Sequence, residues 1–302
     1  MASDEAPNGA VRPIVLVGVD GSSASDSALL WAADEAFRTK AVLRVVLVRA
    51  HPSLVNRRNI DDARHSRKLL TELVEKTLLP DRIPEYQVEV MEGNAPEALL
   101  SEARATNAAL LILGRRGRGG FESLLLGSVS DQCARHSTCP VMVVPAASYD
   151  TSPRGTIVVG VDGSAASERA LDWAADQAGL FGCDLRIVGA WNPPILPADS
   201  IASDIVVLHQ GLDSYADQAR AAVDGSLSRC QKAHPELPVR TEVVQGDPTV
   251  VLTKIANGLR ARMLVLGTRG RGGFRALLLG SVADKTLHHA LTPVVVVPQM
   301  PG

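Results

Sequence analysis

Two stretches of this chain carry a spacing suited to holding an anion. The first runs Gly114-Arg115-Arg116-Gly117-Arg118-Gly119-Gly120 and, after Phe121 to Leu126, reaches Gly127-Ser128. The second runs Gly267-Thr268-Arg269-Gly270-Arg271-Gly272-Gly273 and reaches Gly280-Ser281. Each follows a short apolar run, Leu110 to Leu113 or Met263 to Leu266, of the kind that forms a buried parallel strand. Each leads into helical spacing, Val129 to Arg135 or Val282 to Leu287. Strand, glycine-rich loop and helix start together present free backbone N–H groups and the positive end of a helix dipole. The glycines are expected to reach left-handed geometry and to let a ligand come close. A Cβ at Gly117 or Gly270 is therefore expected to block a phosphate. Ser128 stands where it can help hold the anion or act only as a cap, and a cap would still leave its neighbours' N–H groups for the anion. Arg115, Arg116, Arg118, Arg269 and Arg271 have two readings: they screen phosphate charge, or they are solvated loop residues.

The elements that must position these loops are also written twice. Ile14 to Val19 reads as a strand ending in Asp20-Gly21-Ser22, and Val158-Val159-Gly160-Val161 ends in Asp162-Gly163-Ser164. Asp20 to Asp162 is an offset of 142, as is Trp31 to Trp173, whereas Gly114 to Gly267 is an offset of 153, as is Pro140 to Pro293. The difference, 11 residues, is an insertion between the second and third strands of the second half, placed in a longer loop from Trp191 to Ser203. Two homologous domains follow, 11–146 and 156–299, with a polar tail over 1–10 and a linker over 147–155. Within the first, helices are expected over Ala24 to Arg38 and up to about Leu79, with His51 to Asp62 as a surface loop. Trp31 and Trp173 fall on apolar helix faces and read as core. Alternating strands and helices call for a parallel sheet flanked by helices, an α/β, doubly wound architecture. Ligands of such sheets sit where strand order reverses, at the carboxyl ends of the strands. Should the first and fourth strands be neighbours there, Asp20 and the Gly114 loop share one crevice, as do Asp162 and the Gly267 loop.

Composition narrows the function classes. The formal charge is −2 and aromatics are 3% of the chain, which gives no reason to expect nucleic acid. The start lacks the regions of a secretion signal and no apolar run reaches bilayer length, so a cytoplasmic protein without membrane contact is expected. Cys133, Cys139, Cys183 and Cys230 have no zinc spacing and read as buried thiols. His136 and His289 end equivalent helices, where imidazoles suit the dipole, and no metal site is expected.

The spacing Gly114-x-x-Gly117, nine residues, Gly127-Ser128, and its repeat through Gly267, Gly270, Gly280 and Ser281, resembles the nucleotide motif of the ATP-binding branch of the universal stress proteins. The first and last strands of each half are similar to that family too, in a tandem arrangement of actinobacterial type. The resemblance implies two five-stranded sheets of order 3-2-1-4-5, in an adenine nucleotide alpha-hydrolase-like fold. It implies one ATP per domain, with Mg2+ carried on the phosphates. Gly114, Arg116, Gly117, Gly119, Gly127, Ser128 and Val129 would hold ribose and phosphates, as would Gly267, Arg269, Gly270, Gly272, Gly280, Ser281 and Val282. Asp20 with Gly21, and Asp162 with Gly163, would lie at the adenine end, or the aspartates simply cap the following helix. Val48 and Ala190 would offer backbone groups to the base. The implied role is a nucleotide-dependent regulatory module of stress or growth arrest, with an unnamed protein partner. The alternative is a slow ATPase or nucleotide-transferring enzyme, for which no general base is evident. The last strands would pair the two halves as an internal pseudo-dimer, and a homodimer is the further option.

Overall fold

The computed structural model describes residues 12–49, 59–78, 82–117, 126–146, 155–193, 205–270 and 278–299. The chain divides into two compact units, with the division between residues 151 and 152. The tail over 1–10 and most of the linker over 147–155 lie outside the described residues.

In the first unit the order is β1 (Ile14–Val19), α1 (Ser23–Thr39), β2 (Val42–Arg49), α2 (Asn59–Thr77), β3 (Tyr86–Glu92), α3 (Ala95–Ala105), β4 (Leu110–Gly114), α4 (Ser128–His136) and β5 (Val141–Val144). Its strands lie in the order β3-β2-β1-β4-β5, every pair parallel. Parallel neighbours need a crossover, and each crossover here carries a helix. Strand chemistry fits that burial: Leu110 to Leu113 and Val141 to Val144 are all buried. On α1, Ala28, Leu29, Ala32, Ala33 and Ala36 are buried, the face that the helical spacing predicts. Four alanines among them keep that face flat, so the helix can lie close on the sheet.

The second unit repeats the plan with β6 (Thr156–Val161), α5 (Ala165–Phe181), β7 (Asp184–Trp191), α6 (Ile205–Ala233), β8 (Val239–Gln245), α7 (Pro248–Gly258), β9 (Met263–Gly267), α8 (Ser281–His289) and β10 (Val294–Val297). Its order, β8-β7-β6-β9-β10, is the same five-stranded parallel arrangement. In both units strand order reverses beside the first strand, and that strand lies next to the one feeding the glycine loop.

Three expectations need correction. The additional length of the second unit goes largely into a helix: α6 has 29 residues where α2 has 19. Apolar residues at helical spacing extend a helix more readily than an unstructured loop, which must leave its backbone polar groups to water. The supposed loop over 51–62 is already helical from Asn59. Trp31 is fully buried, but Trp173 is only half-buried, so the repeated tryptophan does not have a repeated environment.

All four cysteines are buried free thiols. Burial, and secondarily the neighbouring Cys139, pushes the Cys133 thiol up from 9.0 to about 12, and burial raises Cys139 as well. The folded state thus holds these protons more tightly than the unfolded chain. The resulting stability is complete below pH 9 and is lost as pH rises towards 12. In native protein at pH 8, Cys133 and Cys139 are expected to resist a thiol-disulfide reagent and to react fully in urea. Labelling followed by peptide mass mapping reads this directly.

Candidate nucleotide-binding site

Each unit has a cavity at the carboxyl ends of its strands. The first, about 450 Å3, is walled at one end by Val46, Val48, Ala95 and Leu99, and at the other by Gly114, Arg116, Gly117, Gly127, Ser128 and Val129. The second, about 540 Å3, has Val188, Ala190, Pro248 and Leu252 at its apolar end and Gly267, Arg269, Gly270, Gly280, Ser281 and Val282 at the other. Both volumes fall in the usual range for small-molecule sites, roughly 300–1,000 Å3. An apolar slot next to a rim of backbone amides suits a ligand with a flat ring at one end and negative charge at the other.

The charged end is built from helix starts left open. Ser22 Oγ caps α1, Ser164 Oγ caps α5, Asn94 caps α3 and Asp247 caps α7, each accepting an early backbone N–H of its helix. At α4 and α8 the cap positions are Gly127 and Gly280, and among the described residues no side chain caps the helix start. The first intrahelical bond at each is Asp131 N–H to Gly127 O, 3.0 Å, and Asp284 N–H to Gly280 O, 2.9 Å. The N–H groups of Ser128, Val129 and Ser130 precede it, as do those of Ser281, Val282 and Ala283. Ser128 and Ser281 are thus the first helical residues, and the alternative of Ser128 as a mere cap does not hold. A glycine cap leaves the amides uncovered, and with them the positive end of the dipole.

The described loop glycines do not take the left-handed geometry expected of them. Among the described residues Gly114, Gly117, Gly127 and their counterparts Gly267, Gly270 and Gly280 have no left-handed φ; Gly127 sits at −77°. Left-handed geometry falls instead to Gly21 and Gly163, both at φ 75°, in the turns after β1 and β6. Gly114 is a packing glycine: a Cβ there would lie 2.7 Å from the Ala24 carbonyl carbon of α1. At Gly267 it would lie 2.6 Å from that of Ala166. A Cβ at Gly117 would run into the Asp20 carboxylate, and one at Gly270 into that of Asp162, well inside van der Waals contact. The expected obstruction of a phosphate is therefore preceded by a collision within the protein.

Asp20 and Asp162 line the cavities with their carboxylates turned onto the loops. Neither caps the following helix; that position belongs to Ser22 and Ser164. Gly21 and Gly163 shape the turns without lining the cavities. Gly119 and Gly272, with Arg118 and Arg271, lie outside the described residues. Arg115 is half-buried, and its pKa is lowered by that burial and then by the charge of Arg116.

Three contributors were not expected. Ser22 and Ser25 line the first cavity, and Ser22 Oγ donates to Arg116 O at 3.2 Å, so the helix cap also ties the loop. Ser130 Oγ donates to Gly114 O at 2.7 Å and anchors the strand end. The signal for Ser130 was present as a hydroxyl in the first turn of the helix. Ala283 stands at its place in the second unit and has no hydroxyl to give.

A model of the universal stress protein family matches residues 12–145 and again 153–298. The chain belongs to the universal stress protein family. It is 32% identical over 300 residues to a universal stress protein of Mycobacterium tuberculosis, covering 94% of this chain and 97% of the relative. A relative in Mycolicibacterium smegmatis is 30% identical over 296 residues, covering 94% and 96%. In fold it is similar to a universal stress protein of Archaeoglobus fulgidus, with TM-score 0.64 at 20% identity, covering 95% of this chain and 96% of that one. This universal stress protein is a tandem of two such domains. Among the described residues no helix is long and apolar enough to cross a membrane, and no group of three His, Cys, Asp or Glu side chains is placed to hold a metal.

Gly114→Ala is expected to destabilise the first unit by about 1–3 kcal/mol, because backbone of α1 has no low-cost way to retreat from β4. Ser130→Ala should cost about 1 kcal/mol through the lost bond to Gly114 O. Urea unfolding of the full chain measures both as a shift of the earlier transition.

Proposed function

We propose that each domain binds one ATP, and that this universal stress protein is a nucleotide-dependent regulatory module and not a turnover enzyme. The single observation that carries the reading is the pair of glycine-capped helix starts opening on cavities with an apolar far end. The triphosphate belongs at the amides of Ser128 to Ser130 and of Ser281 to Ala283. Arg116 and Arg269, on the rim, add mobile positive charge. The base belongs between Val46, Val48 and Leu99 in the first unit, and between Val188, Ala190 and Leu252 in the second. Mg2+ enters on the phosphates, which supply most of its oxygens.

Binding in place of turnover is favoured by the chemistry of the walls. Among the described residues each cavity is lined by one carboxylate, and its Oδ1 already accepts a backbone N–H, from Ser22 in the first unit and Ser164 in the second. No histidine lines either cavity among the described residues, so none of them offers an imidazole base to an attacking water. The proposed setting is stress or growth arrest, in which ATP occupancy would set the conformation seen by a partner.

Calorimetric titration of the purified full-length chain with MgATP tests the proposal. Two sites per chain are expected, near micromolar affinity, about −8 kcal/mol each. Arg115 and Ser130 become Thr268 and Ala283 in the second unit, so two unequal constants are expected in place of one. No heat of binding, together with no nucleotide retained through purification, would overturn the reading.

A further inference from the structure

The turn after each first strand and the start of each glycine loop are joined by the same contacts in both units. Gly21 folds the turn back so that Asp20 Oδ1 accepts the Ser22 N–H at 3.0 Å. The other carboxylate oxygen lies so close to Gly117 that a Cβ there would have to displace it. Ser22 Oγ reaches the preceding carbonyl, Arg116 O, at 3.2 Å. Below this the loop is closed by Gly127 N–H on Arg115 O, 2.8 Å. In the second unit Asp162 Oδ1 accepts from Ser164 N–H at 3.0 Å, and its other oxygen presses on Gly270. Ser164 Oγ reaches Arg269 O at 3.4 Å and Gly280 N–H closes on Thr268 O at 2.6 Å. The arrangement is retained although Arg115 has become Thr268 and Ser130 has become Ala283.

Each carboxylate stands at the loop end of its cavity, where phosphate charge would repel it unless a cation lay between, and its packing is onto the loop backbone. We propose that Asp20 and Asp162 are positioning residues. Each holds its glycine loop at the width at which the helix-start amides can receive the nucleotide, by pressing a carboxylate on Gly117 or Gly270. The glycine and the aspartate then form one device: glycine is required at 117 and 270 because of the carboxylate, and only indirectly because of the phosphate. This inference rests on the nucleotide reading above for its effect on affinity, but the contact itself belongs to the nucleotide-free protein.

A double-mutant cycle separates the two explanations of the glycine. The full chain is made as Gly117→Ala with Gly270→Ala, as Asp20→Ala with Asp162→Ala, and with all four changes. Each is titrated with MgATP and melted without nucleotide. The glycine pair is expected to lose roughly tenfold in affinity and to melt lower. Removing the carboxylates makes room for the new methyl groups. The fourfold variant should therefore bind and melt like the aspartate pair alone. Multiplying affinity losses would overturn the proposal, because the methyl would then be meeting the ligand. So would an aspartate pair that binds like wild type. Should wild type bind no ATP, the nucleotide reading fails by itself and the melting cycle still decides the contact: non-additive shifts support it and additive shifts overturn it. If the fourfold variant does not fold, Asp20→Ala and Gly117→Ala in the first unit alone give the same cycle.

Discussion

β1 and β4 pair in parallel, with Val15 opposite Leu110 and Gly18 opposite Leu113. Two turns far apart in the chain therefore leave the sheet side by side, and Ser22 can bond to Arg116 across 94 residues of sequence. In the second unit the pairing of β6 with β9 brings Ser164 to Arg269 across 105 residues. The crevice exists because the sheet reverses its order at this pair, so no crossover helix covers the gap. α1 closes on β4 only because Gly114 has no side chain, and the loop that leaves Gly114 meets the turn that leaves β1. Cavity, open helix start and apolar slot are all consequences of that neighbourhood.

Much of this was legible in the sequence, for physical reasons. Valine- and leucine-rich runs with no polar face identify strands covered on both sides. Repeated spacing identified two domains before any coordinate was known, and Gly-Ser before a helical pattern marked the open helix starts. What the sequence did not disclose was which job each glycine has. Gly114, Gly117 and Gly127 look alike in a string of letters. One admits a helix, one admits a carboxylate and one leaves a helix uncapped, and for the first two the distinction lies in atoms of Ala24 and Asp20, 90 and 97 positions away. The same is true of Asp20, whose partner Gly117 is visible only once the strands are paired. The length difference between the units is legible in the offsets, but an offset counts residues without saying whether they are helical.

The two sites are related but not copies. Ala190 in place of Val48 and Pro248 in place of Ala95 change the apolar end. Ala283 in place of Ser130 removes the hydroxyl that holds the strand end in the first unit. Such changes leave the backbone cradle intact, because the cradle is made of amides and glycines, and alter what surrounds it. A tandem protein built this way can keep one ligand chemistry while its two sites respond at different concentrations.

The uncapped amides at the start of α4 and α8 are the proposed seat of the phosphates. Hydrogen exchange on the full chain, with and without saturating MgATP, measures those amides directly. ATP should slow exchange at 128–130 and at 281–283 while leaving the interior of β1 and β6 unchanged. ATP that is bound without any such protection would contradict the account.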